Sequence, residues 1–151
     1  MSFAPILWRD AEIGVVTTSI DLSMREDLVL PARRRTIAAG LVAPFEVLHI
    51  DLNEQAAEKM RCLAQRFRVG DGHDVVLLWS ARKDLDGDLI RRVTAEKLTS
   101  GKDHRADARA GVDRRYADWE NQRGRQLPQD APTADEMRRA CTAAIDEWIP
   151  A

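Results

Sequence analysis

The stretch from Phe45 to Trp79 constrains the fold more than any other part of the chain. Phe45-Glu-Val-Leu-His-Ile50 follows Pro44 and reads as a strand buried on most of both faces. Asp51 can then cap a helix, and Glu54, three positions on, completes a capping box. Leu52, Ala56, Met60, Leu63 and Phe67 recur at helical spacing and form one apolar stripe. Gly70-Asp-Gly72 predicts a stop and a turn. Asp74-Val-Val-Leu-Leu-Trp79 is apolar almost throughout and reads as an interior strand. The order strand, helix, strand over about 45–79 predicts one βαβ unit with parallel strands and a right-handed crossover.

Upstream, Glu12 to Ile20 is rich in β-branched residues and predicts a strand, and Asp27 to Leu30 is a short extended run stopped by Pro31. Arg33 to Gly40 fits either a helix or a strand. Downstream the pattern is helical. Asp84 or Asp86 can cap a helix carrying Leu89 and Val93. A helix over Asp103 to Gln122 has a narrow stripe of Val112, Tyr116 and Trp119. Residues 124–132 read as a loop. Thr133 and Glu136 form a capping box for a closing helix whose stripe is Met137, Cys141, Ala144, Ile145 and Trp148. Together these predict one α+β domain over 1–151, with 1–80 mainly sheet plus one helix and 84–149 a helical half. A small three-layer α/β arrangement is the alternative.

With 44% apolar residues among 151, the chain can bury a real core. The 23 Lys+Arg against 25 Asp+Glu leave a net charge of −2, which argues against a polycation and against a charged disordered tail. Nothing approaches a membrane-spanning apolar run, and Met1 to Asp10 does not read as a secretory leader. Cys62 and Cys141 stand far apart without a CxxC, so both read as reduced structural thiols of a cytoplasmic protein.

Five groups invite a functional reading. In an open α/β sheet, ligands gather beyond the carboxyl ends of the strands. That places His49, Asp51, Ser80 and Arg82 together as weak catalytic candidates for an anionic small molecule. His73 and Asp74 would lie at the opposite sheet edge, so no metal site with His49 and Asp51 is expected. Asp84-Leu-Asp86-Gly87-Asp88 lacks the Gly and Glu that a calcium loop needs, so no cofactor is expected. Trp119, Trp148, Tyr116 and Arg115 are candidate partner-binding residues of the helical half. Arg33, Arg34 and Arg35 form the one uninterrupted basic triplet and are the weak nucleic-acid candidate. Residues 70–79 resemble the Gly-Asp segment of PIN-type nucleases, but the upstream acidic strand of those enzymes has no room here, and no family is assigned.

The reading that follows is a small regulatory or interaction protein of bacterial accessory type. It would act through protein–protein contacts, or self-association, of its helical half, without membrane attachment and without catalysis as the favoured role. A small-molecule enzyme or sensor with its site at the strand ends is the alternative. A nucleic-acid-binding accessory factor is the second alternative.

Overall fold

The computed structural model describes residues 6–10, 14–18, 28–38, 43–98 and 102–151. Two antiparallel strand pairs precede the helices: β1 (Ile6–Asp10) with β2 (Gly14–Thr18), and β3 (Arg33–Ile37) with β4 (Phe45–His49). Six α-helices follow: α1 (Leu52–Gln65), α2 (Val69–Ser80), α3 (Gly87–Lys97), α4 (His104–Tyr116), α5 (Trp119–Gln126) and α6 (Ala134–Trp148), with a 3-10 turn at Arg82–Asp84. The class is α+β with a helical C-terminal half, as the residue pattern predicts. The strand core of Glu12 to Ile20 is β2, and Arg33 to Gly40 resolves in favour of a strand.

The βαβ unit does not form. Asp74 to Trp79 lies inside α2, so residues 1–80 carry two helices, and no parallel pair occurs among the described strands. A short apolar run has no periodicity that separates a buried helix from a buried strand. Gly70-Asp-Gly72 is the first turn of α2 rather than a stop. The Asp71 carboxylate accepts the backbone N–H of Arg68 at 2.9 Å, satisfying a donor at the helix start. Gly72 is there for packing: a Cβ would lie 3.0 Å from the Phe67 ring and 3.1 Å from that of Trp119. The β4 strand is also less buried than its sequence suggests, with Phe45 and Leu48 exposed in a two-stranded pair.

The helix expected over Asp103 to Gln122 is two helices, broken at Ala117 and Asp118, and the loop is 127–133 rather than 124–132. The break lets Trp119 turn inward. It is fully buried, and its indole N–H donates to the Pro132 carbonyl at 2.8 Å. The core gathers Met60 and Leu63 from α1, Phe67 from the turn after it, Ile90 and Val93 from α3, Val112 from α4, and Met137, Ile145 and Trp148 from α6. The closing helix is built as expected: Thr133 accepts the Glu136 N–H, the Glu136 carboxylate accepts that of Thr133, and the whole stripe is buried. No helix among the described residues is long and apolar enough to cross a membrane.

Candidate functional site

The helical spacing of α1 sets Glu54, Gln55, Glu58 and Lys59 along one side of the helix. Asp71 and Asp74, three apart in α2, face that side. The Lys59 ammonium lies 3.1 Å from Asp71 Oδ1 and 2.7 Å from Asp74 Oδ2. Burial pulls the Lys59 pKa down, but the hydrogen bonds its ammonium donates to Asp74 and Asp71 outweigh it, so the value is raised. Lys59 is therefore a permanent cation at neutral pH and no proton acceptor.

Beside it, the Glu54 carboxylate is 1% exposed and accepts the backbone N–H groups of Val29 (3.1 Å) and Leu30 (3.0 Å). The Lys97 ammonium of α3 reaches it at 2.7 Å. Glu54 thus pins the 28–30 segment to α1 and α3 instead of closing a capping box with Asp51. Between these two ion clusters opens a cleft of 780 Å³. Its apolar wall comes from Leu28, Ile50, Leu52, Leu77, Leu78 and Leu85, and Glu54, Glu58, Lys59, Asp74 and Lys97 supply charge. Volume and lining are those of a small-molecule site: apolar walls with a few convergent polar groups.

The structure brings the expected strand-end region to this cleft, but not the expected side chains. Ile50 and Leu52 on one side and Ala81 and Leu85 on the other line it, and the Asp86 N–H donates to Asn53 Oδ1 at 2.9 Å. His49 Nδ1 is 2.9 Å from the Ile50 carbonyl. Ser80 donates to Val76 of its own helix at 2.8 Å, and Arg82 donates to the Trp79 carbonyl while stacking on its ring. Because Ser80 ends a helix and Arg82 opens the 3-10 turn after it, and neither follows a parallel strand, the geometry that grouped them with His49 is absent. Asp51 caps α1, accepting the Asn53 N–H at 2.8 Å, and pairs with Arg33. Asp51→Ala is expected to cost about 0.5–2 kcal/mol by denaturant titration, with Asp51→Asn recovering most of it.

The other candidates are also placed. Trp119 and Trp148 are wholly buried, so they form core and not a partner surface. Tyr116 donates to Asp135 at 2.9 Å under the Arg138 guanidinium, and Arg115 donates to the Phe67 carbonyl. Strand alternation sends Arg33 and Arg35 to one face of β3 and Arg34 to the other. Arg33 pairs with Asp51 and Arg34 with Glu46, so the triplet is no single basic patch. Lys59 and Asp71 carry no functional signal in the sequence, and Asp74 enters there only as a metal candidate with His73 at the far sheet edge. The i, i+3 spacing of the two aspartates identifies them only once 69–80 is read as a helix.

Residues 9–148 match the family model described as "Nucleotidyl transferase AbiEii toxin, Type IV TA system". The chain belongs to this AbiEii family. No curated protein and no solved structure matches it. Membership overturns the expectation of a regulatory protein working by protein–protein contacts: the family is one of nucleotidyl transferase toxins in a toxin–antitoxin system. The buried tryptophans remove the surface on which that expectation stood.

Phosphoryl chemistry is commonly assisted by a divalent cation held by carboxylates and substrate phosphates. Among the described residues, no group of three His, Cys, Asp or Glu side chains is placed to hold one. Asp71 and Asp74 are both engaged by Lys59. Among the described residues, these two cleft-side carboxylates are thus committed to an ammonium group.

Proposed function

We propose that this AbiEii-family chain binds a nucleoside triphosphate in the cleft between α1, α2 and the 28–30 segment, and serves transfer of its nucleotidyl group. In such a transfer a nucleophile bonds to the α-phosphorus while the bond to the bridging oxygen breaks and pyrophosphate leaves. What supports the reading is Lys59: a partly buried, permanently charged ammonium at the edge of a cleft large enough for a nucleotide. An ammonium has three N–H donors, and two are taken by Asp71 and Asp74. The third remains for a phosphate oxygen, in a position fixed before the ligand arrives. The leucine wall offers an apolar surface for the base.

The same reading makes the cytoplasm, where nucleoside triphosphates are found, the working compartment. It also implies an antitoxin as the functional partner. The test is isothermal titration of the folded chain with a nucleoside triphosphate. Lys59→Met should weaken binding about 10–100-fold, the size of a lost charge-assisted hydrogen bond. Lys59→Arg, which keeps the charge but not its shape, should fall in between. His49→Ala should bind normally. Equal affinity in wild type and a folded Lys59→Met variant would overturn the assignment.

A further inference from the structure

Away from the cleft, the α1–α2 turn and the end of α4 enclose a second hollow of 210 Å³. Arg66, Phe67, Gly111, Arg114 and Arg115 line it, with no acidic residue among them. We propose that this hollow binds a single phosphate group through the three guanidinium groups, separately from the nucleotide cleft. Its volume is below the roughly 300–1,000 Å³ of sites that enclose whole small molecules. The rest of such a ligand would therefore lie outside it.

Helix ends explain part of the arrangement. Arg66 follows the last turn of α1 and Arg114 and Arg115 lie in the last turn of α4, where the helix dipole favours cations. Three guanidinium groups around one small space repel one another, and Asp71, 4.0 Å from Arg66 and already engaged by Lys59, offsets this only in part. Nor are their donors used up. Arg115 spends Nε on the Phe67 carbonyl at 3.0 Å, and Arg66 spends one Nη on the Cys62 sulfur at 3.2 Å. The exposed Arg114 makes no hydrogen bond or ion pair to a described residue. Each guanidinium has five N–H donors in a planar fork that matches phosphate oxygens.

An independent observation is the backbone of the hollow. Phe67 has φ = 23° although it is not a glycine, and the residue is 2% exposed. Such backbone persists only where the surroundings over-determine it, and it concentrates at ligand sites. Here the restraints are the Arg115 bond to its carbonyl and the close approach of α4. At Gly111 a Cβ would stand 3.3 Å from the Leu63 carbonyl oxygen and 3.4 Å from Phe67 Cβ. The strained turn is what sets Arg66 beside the end of α4.

The phosphate belongs either to a free nucleotide or to the backbone of a nucleic acid, and both present the same oxygens. Titrating the full chain at low salt with pyrophosphate, a nucleoside triphosphate and a short single-stranded RNA with hydroxyl ends separates them. Arg114→Ala should weaken binding of the true source about tenfold, and Arg114→Glu should abolish the hollow's contribution. Arg92→Ala, an exposed arginine on α3, should change nothing. Added salt should weaken the arginine-dependent part. An effect on RNA alone assigns the site to a polynucleotide backbone, and an effect on pyrophosphate and the triphosphate alone assigns it to a nucleotide tail. The Arg114 effect should persist in the Lys59→Met background, which distinguishes it from failure of the cleft assignment. Arg114→Ala and Arg92→Ala behaving alike with all three probes would overturn the proposal. The position of Arg114 at the surface keeps both variants folded, and thermal melts check this.

Discussion

Glu54→Ala is expected to lower stability by about 3–5 kcal/mol, the cost of breaking a buried ion pair by removing one partner. Glu54 is 1% exposed and the Lys97 side chain 8%. The substitution strands a buried ammonium and the N–H groups of Val29 and Leu30 at once. For a chain of this size the melting temperature should fall by roughly 6–20 °C. Lys97→Met alone should be similarly harmful, since it leaves the carboxylate with two amide donors and no cation. The double variant Glu54→Met/Lys97→Met should recover much of the loss, because an apolar pair restores no charge that needs compensation. Denaturant titration of the four proteins gives the coupling directly. Losses near 1 kcal/mol in both single variants would mean that water already reaches the pair. The functional consequence is specific: Glu54 holds the 28–30 segment, and Leu28 is part of the cleft wall, so nucleotide binding should weaken with it.

The second large effect concerns Trp148. Trp148→Ala is expected to cost about 3–5 kcal/mol, as for other fully buried aromatic residues cut to alanine. The indole has no exposed surface and meets Trp79 edge-on, with ring centroids 5.2 Å apart and planes at 61°. Its Nε1 has no hydrogen-bond partner among the described residues. Trp148→Phe should therefore cost far less than Trp148→Ala, since it removes a buried unpaired donor along with part of the ring. Removing all of α6 after Pro128 should leave a chain that aggregates or melts early, because Met137, Cys141 and Ile145 cover the same core. A normal melt for either the truncated chain or Trp148→Ala would show that α6 is an appendage. Cys141 reports on the same packing. Burial pushes its thiol pKa up to about 12, so it should resist alkylation until the helix detaches.

Much of the architecture can be read from residues alone, and the reason is local. The stripe Ala56, Met60 and Leu63 has only one way to be buried, and so does Met137, Cys141, Ile145 and Trp148 behind the Thr133–Glu136 box. Periodicity and capping are properties of neighbours in the chain. The α+β class, the start of α1 at Asp51 and the whole of α6 follow from them. The 69–80 segment was decided elsewhere. Val75 to Trp79 is apolar enough for a strand or a buried helix, and only the packing partners Phe67 and Trp119 against Gly72 select the helix. The site inherits that choice. As a strand, Asp71 would sit in the turn and Asp74 at the strand's first position; as a helix, their i, i+3 spacing brings both carboxylates onto one ammonium. Glu54 likewise looks like a capping residue from its spacing to Asp51, yet it serves Val29, Leu30 and Lys97, partners 24 to 43 positions away. Local pattern determines which elements form. Which charges meet is set by long-range packing, because an ion pair depends on distance in space and not along the chain.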